Sequence, residues 1–291
     1  CSANCPIDTS STSYEIPSKG KLTLDISYEN IDQDQPQIGR HNARIGEIRR
    51  RTHDEIRTRN QSWKLNLDYA ITDRLSLGVF LPLLSLKHDR KDNEIHGERR
   101  EEGHEMGGDL PKFEGWNFTN IGDLTILGKY ALLLSSSPEG SFFSVGLGIK
   151  FPTGKTDEDN AGGEEAEPTL QPGTESYDLI FGTYYSKKIK VPTLFKQYTL
   201  IPFFINGTYK INGNGIHNYQ IGDEVRINLG TSYPLFRRWD LLTQFNFNYK
   251  AHDHKGNTYE ETTDTGGRWL YFSPGMRFKI NNALSLYGYM Q

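Results

Sequence analysis

The stretch Trp239–Lys250, WDLLTQFNFNYK, decides the fold. Trp239, Leu241, Phe245, Phe247 and Tyr249 fall on one parity, and Asp240, Gln244, Asn246, Asn248 and Lys250 on the other. Successive side chains of a β-strand point to opposite faces, so this is a strand with one apolar and one hydrophilic face. The hydrophilic face carries charges of both signs and a run of amides, and aromatic residues stand near both ends. A strand crossing a bilayer in a barrel has this pattern, with lipid on one face and a polar interior on the other.

The pattern recurs along the chain. Leu22, Leu24, Ile26 and Tyr28 oppose Thr23, Asp25, Ser27 and Glu29. Trp63, Leu65, Leu67, Tyr69 and Ile71 oppose Lys64, Asn66 and Asp68, and Val225, Ile227, Leu229 and Tyr233 oppose Glu224, Arg226, Asn228 and Ser232. Strands are expected near 21–32, 60–72, 74–88, 119–134, 141–152, 175–187, 197–211, 222–235, 238–250, 268–280 and 282–291. Long and short connections alternate between them, which sorts the loops onto two ends. The fold expected is all-β: a transmembrane antiparallel β-barrel of about 12 strands. Eleven are visible, and parity places a twelfth beyond the end of the sequence. The segment 198–207, YTLIPFFING, is apolar on both faces, so it either packs against something inside the barrel or has its register misread.

Bulk composition agrees. The 291 residues include 16 Tyr, 15 Phe and 29 Gly but only 3 Met and 2 Cys. Mean hydropathy is −0.65, and no apolar run reaches the roughly 18 residues of a spanning helix. Barrel strands keep hydropathy low because only alternate residues meet lipid. The formal net charge of −4 makes no case for nucleic acid. The chain divides into a periplasmic N-terminal leader segment, 1–20, and a barrel, 21–291, with long outer loops at 33–59, 89–118, 153–174 and 251–267. The setting expected is the outer membrane of a Gram-negative bacterium, with outer-membrane lipid and lipopolysaccharide as surroundings and a periplasmic N-terminus.

At GDLTILGKYALL (122–133), GLGIKFPTGKT (146–156), LQPGTES (170–176) and DLIFGTYYSKK (178–188), the chain resembles the outer-membrane transporter family of the putative MetA-pathway phenol-degradation type. Where that family usually has Gly after QPGT, Glu175 stands here. The resemblance implies an outer-membrane barrel and passage of small hydrophobic compounds. It brings no catalytic residues.

Other motifs are weaker. GLGIKFPTGKT has one residue too many between Gly148 and Gly154 for a phosphate loop, and Pro152 interrupts it. The acidic stretch with Asp157, Asp159, Glu164, Glu165 and Glu167 half-matches a calcium loop but places Ala161 and Pro168 at ligand positions, so a solvated acidic loop is expected. Arg40, Arg44, Arg49, Arg50, Arg51, Arg57 and Arg59 crowd one segment. Three readings stay open for them: docking of lipopolysaccharide phosphates or an anionic partner, pairing with inward carboxylates, or a plain solvated loop. His252 and His254 are candidates for a surface metal clip. No nucleophile elbow is present, and no cofactor or enzyme activity is expected. Cys1 and Cys5 stay open between a lipidated terminus and a small disulfide.

The inward face is the most informative functional feature. Asp25, Glu29, Asp68, Asp123, Asp178, Glu224 and Asp240 are assigned to it, balanced by Lys64, Arg74, Lys129, Lys150, Arg226, Lys250 and Arg277. Such residues can line a thin wet channel for small-molecule solutes, possible hydrophobic or aromatic ones included, gated by loops 89–118 and 33–59. They can instead cross-link a plugged barrel that anchors or sheathes a periplasmic or extracellular protein partner, such as a redox protein. The sequence leaves both readings open.

Overall fold

The computed structural model describes residues 16–35, 37–38, 41–44, 53–92, 113–192, 198–256 and 265–291. Twelve principal strands are present: β1 (Leu22–Gln33), β2 (His53–Ala70), β3 (Leu75–Asp92), β4 (Phe113–Ile121), β5 (Leu124–Leu134), β6 (Ser141–Phe151), β7 (Asp178–Pro192), β8 (Tyr198–Ile211), β9 (Glu224–Phe236), β10 (Trp239–Lys250), β11 (Gly267–Lys279) and β12 (Ser285–Tyr289). They form one antiparallel sheet in chain order, each pairing with the next, except that β4 and β5 share one position beside β3. The sheet therefore has eleven positions, those expected from the sequence. The edge strands are β1 and β12, and the Tyr287 hydroxyl of β12 donates to Asp25 Oδ2 of β1 at 2.5 Å.

The break between β4 and β5 has a local cause. β3 pairs with β4 over Leu83–Lys91 and with β5 over Leu75–Phe80. Pro82 lies between and has no N–H to give to the ladder. Only Gly122 N to Pro82 O, 2.8 Å, spans the gap. A Cβ on Gly122 would come within 2.9 Å of Pro82 Cγ and 3.0 Å of Pro172 O, so the close approach requires glycine.

Burial confirms an inverted polarity. Leu22, Leu24, Ile26, Phe245 and Phe272 are all at least half exposed, whereas Asp178, Asn246 and Ser273 are 0% exposed. Apolar side chains face outward and polar ones inward, as lipid surroundings require. Aromatic pairs mark the ends of the outward belt: Tyr28 against Trp63, with centroids 4.8 Å apart, and Trp239 against Phe278 at 4.7 Å. No helix among the described residues is long and apolar enough to cross a membrane.

The strands differ from expectation where they leave the belt. β2 begins at His53 and β3 ends at Asp92, so part of what reads as loop is paired strand. Above Trp63 and Leu83 the outward face turns polar, with Gln61, Arg59 and Arg57 on β2 and Ser85, Lys87 and Asp89 on β3. The alternation of the belt is lost there because the outward face no longer meets lipid. Arg57 and Arg59 bind Asp32 on this outer face, at 2.6 and 3.0 Å, rather than inward carboxylates. The Arg57 guanidinium, with Arg59 beside it, holds the Asp32 carboxyl well below its usual range. Arg40 and Arg49–51 lie outside the described residues, as do Cys1, Cys5 and 93–112.

The connection 152–177 is a second correction. It is folded, with Ala166 and Leu170 buried against Leu86, Trp116 and Phe118. Trp116 Nε1 donates to Glu164 O at 2.9 Å. Its acids go to separate partners. Glu167 binds Arg90 at 2.8 Å, Glu165 reaches His217 at 3.2 Å, and buried Glu158 accepts from Asn120. They do not converge as calcium ligands would. The two ends of the connection touch: a Cβ on Gly173 would lie 2.4 Å from Gly154 O.

Candidate functional site

The interior face of β5 to β10 carries a charged collar at its long-loop end. Asp123 sits immediately before β5, Lys150 and Lys210 nearly end β6 and β8, Asp178 begins β7, Glu224 begins β9 and Lys250 ends β10. Strand direction alternates, and so does sign. Lys150 Nζ lies 3.0 Å from Asp123 and 2.7 Å from Asp178. Lys210 binds Asp178 at 3.0 Å and stands in register with Glu224. Glu224 binds Arg226 at 2.5 Å and stands in register with Lys250, which binds Asp253 at 2.9 Å. Each charge thus has neighbours of opposite sign, which offsets the cost of burial.

The carboxylates do a second thing: they fasten loops. Asp123 accepts from Gly154 N at 2.9 Å and Thr174 N at 3.1 Å, the two ends of the folded connection. Asp178 accepts from Gly213 N at 3.0 Å. Asp253 accepts from Gly222 N and the Tyr219 hydroxyl, both at 2.7 Å. Collar and loops form one hydrogen-bonded unit.

The remaining sequence-assigned charges lie in smaller groups. Lys129 pairs with Asp68, and Lys64 with Glu29 at 2.8 Å. Asp240 holds Arg277 at 2.6 Å and Lys279 at 2.8 Å. Asp25 meets Tyr287 as described. Arg74 stands apart, exposed at a short turn, its guanidinium 3.5 Å from Ala131 O.

Two collar members were missed from the sequence. Lys210 lies just beyond the segment that is apolar on both faces, on the same strand, and it shares parity with Asn206 and Thr208. Asp253 hides between the two candidate metal ligands. His252 and His254 are both exposed, while Asp253 is buried. The middle residue is thus the one in contact with the collar, through Lys250. Among the described residues no group of three or more His, Cys, Asp or Glu gathers to hold a metal.

Two aromatic contacts explain the doubly apolar strand. Pro202 and Phe204 of β8 face inward, Phe203 and Ile205 outward. Phe204 stacks on Tyr184 of β7 at 6.0 Å, and Phe142 of β6 meets Tyr184 edge-on at 5.9 Å. Above the belt, His88 is buried on the inner face, its Nδ1 2.7 Å from Thr58 Oγ1 and its ring 5.8 Å from Trp116. Burial lowers the His88 pKa, and the Arg90 charge works in the same direction against Glu55 and Glu167.

Comparison with known proteins follows from this geometry. No curated protein matches the sequence significantly. A crystal structure of an outer membrane channel from Pseudomonas putida F1 is similar, with a TM-score of 0.57 at 14% identity, over 94% of this chain and 88% of that one. At that identity the likeness shows the fold. The family model described as putative MetA-pathway of phenol degradation matches residues 62–291, and the chain belongs to that family.

Proposed function

We propose that this outer-membrane barrel passes small molecules, hydrophobic or aromatic ones among them, through its polar interior. The observation that carries the reading is the inverted polarity: strand after strand puts apolar side chains toward lipid and hydrophilic ones inside. The family description and the channel-type structural neighbour support it. Asp25, Glu29, Lys64, Asp68, Lys129, Asp240 and Arg277 line the route. The collar of Asp123, Lys150, Asp178, Lys210, Glu224 and Lys250 holds the folded 152–177 connection over its outer end. The folded 152–177 connection thus supplies a constriction of its own. Because acids and bases balance, the route has little ion preference.

The N-terminal segment lies at the short-turn end, where Gly20 N donates to Ala70 O at 2.8 Å and Lys19 N to Asp73 Oδ1 at 3.0 Å. Short turns face the periplasm in such barrels, which supports a periplasmic N-terminus. The outward cations Arg57, Arg59, Lys87 and Lys91, above the apolar belt, suit lipopolysaccharide phosphates. Liposome swelling with the purified protein tests the main reading. Solute entry above protein-free vesicles is expected, and no entry for any small solute overturns it. A plugged barrel that serves as an anchor is the second reading, favoured by the tight packing of the 152–177 connection; it predicts no entry and a partner that co-purifies at fixed stoichiometry.

A further inference from the structure

The lipid-facing wall carries a cation that the protein leaves unpaired. Lys187, near the short-turn end of β7, is exposed and shares its outward parity with Phe181, Tyr185 and Ile189. At the long-loop end, outward cations have partners. Arg57 and Arg59 share Asp32, Lys87 stands 4.0 Å from Asp89, and Arg268 lies over the Tyr249 ring at 5.6 Å. Among the described residues no carboxylate or aromatic ring meets the Lys187 ammonium. A lysine on the lipid face of a barrel is costly unless its charged head reaches polar ground.

Two hydroxyls stand beside it. Ser141 on β6 is opposite Lys187, and the next outward pair is Phe143 with Tyr185. Ser141 Oγ and the Tyr185 hydroxyl lie 3.2 Å apart. Opposed residues on paired strands are about 5 Å apart, so the ammonium and both hydroxyls are within reach of one phosphate group. Further into the belt the same face is apolar, with Leu147 58% and Phe181 45% exposed. Toward the short turns the surface is basic. From Leu179 to Gly222 the chain has no Asp or Glu. Lys188, Lys190, Arg237 and Arg238 are exposed at this end. The Tyr233 hydroxyl donates to Pro192 O at 3.2 Å, which ties the end of β9, next to the two arginines, to the end of β7 with its lysines. Asp240 is taken by Arg277 and Lys279, and Glu139 in the β5–β6 turn forms no ion pair among the described residues.

We propose that Ser141, Tyr185 and Lys187 hold the phosphate of an anionic phospholipid against the outside of the barrel. Lys187 supplies the counter-charge, the two hydroxyls donate to the phosphate oxygens, and the acyl chains run along Leu147 and Phe181. The basic ends of β7 and β9 favour a headgroup of net negative charge and repel one that carries a quaternary ammonium. The choice of leaflet rests on the reading of the short turns as periplasmic: the lipid then belongs to the inner leaflet of the outer membrane, not to the lipopolysaccharide of the outer one.

Native mass spectrometry of the full chain, released from a nonionic detergent with added lipid, tests this. The probes are phosphatidylglycerol and phosphatidylcholine with the same acyl chains. Wild type should retain phosphatidylglycerol in preference. Lys187→Gln should weaken that retention about fivefold, the worth of one basic residue at an anionic surface, and leave phosphatidylcholine unchanged. Tyr185→Phe, which removes one hydroxyl, should weaken it about twofold to threefold. Arg57→Gln, at the opposite end of the barrel, should have no effect. Folding of each variant is read from heat-dependent mobility on a gel, and Tyr185→Phe carries the test if Lys187→Gln misfolds. Equal retention of the two lipids by wild type, unchanged retention in folded Lys187→Gln, or an equal loss in Arg57→Gln overturns the proposal. An epitope inserted at Pro138, in the exposed β5–β6 turn, reads the leaflet separately. Its detection on intact cells would sink the periplasmic reading while leaving the phosphate site standing.

Discussion

β3 passes through two environments and obeys opposite rules in each. From Leu75 to Leu83 its outward side chains are apolar and its inward neighbours include Ser76, while above Leu83 the outward residues are Ser85, Lys87 and Asp89 and the inward ones include Leu86. Leu86 joins Trp116, Phe118, Ala166 and Leu170 in a buried apolar cluster of the soluble kind. The interior of the lower barrel is held instead by ion pairs and amides beside one aromatic group, Phe142, Tyr184 and Phe204. One strand thus changes which face is greasy without changing its backbone. What surrounds the strand, lipid or water, sets the phase of the alternation.

Four predictions can break that contrast. Removing the indole at Trp116 (Trp116→Ala) should cost the upper region about 3–5 kcal/mol, as for a large aromatic in a packed core. Hydrogen exchange should then rise over β4 and residues 152–177 and stay unchanged in β8 to β10. A charge on the lipid face (Phe245→Arg) should cost about 2–4 kcal/mol when refolded into vesicles, the range for arginine near the midplane of a barrel. Lys87→Leu, on the same type of face but above the belt, should change little by the same assay. Removing Arg57 (Arg57→Ala), an exposed partner of Asp32, should leave thermal stability nearly unchanged; a clear loss would show that outward pairs above the belt matter more than exposure allows.

The smallest effect concerns pH. Because His88 binds its proton less readily folded than unfolded, the unfolded chain takes up more protons as pH falls through about 6.5, the ordinary histidine range. The upper region should therefore lose stability on acidification from pH 7 towards pH 5 and regain it on return. Thermal melts of wild type and His88→Gln across that window check it, and the variant should show the shallower slope.

The sequence exposes the lower barrel well and the upper region poorly, for one physical reason. Inside the belt, lipid and polar interior impose contrast at every step, so Trp239–Lys250 can be read by eye. Above it, Arg57, Thr58 and Arg59 are polar on both sides, and a paired strand reads as loop. The 152–177 connection offers no period at all; its core contacts at Ala166 and Leu170 depend on where Asp123 fastens its two ends. Parity puts Asp123, Lys129, Lys150, Asp178, Glu224, Asp240 and Lys250 on the side that is buried, but it does not say what they bind. Asp123, Asp178 and Asp253 bind backbone N–H groups of loops as well as lysines, and chain-distant contacts of that kind leave no local mark. Lys210 was hidden by its apolar neighbours, and Asp253 by the two histidines beside it.

Planar-bilayer conductance of wild type and Asp123→Asn, recorded side by side, tests the central claim most directly. The amide variant keeps the shape of the side chain but weakens its hold on Gly154 N, Thr174 N and Lys150. The account predicts discrete channel events in wild type and larger or longer ones in the variant, as 152–177 loosens over the outer end. Identical silent membranes for both proteins, with each shown to be folded and inserted, would contradict it.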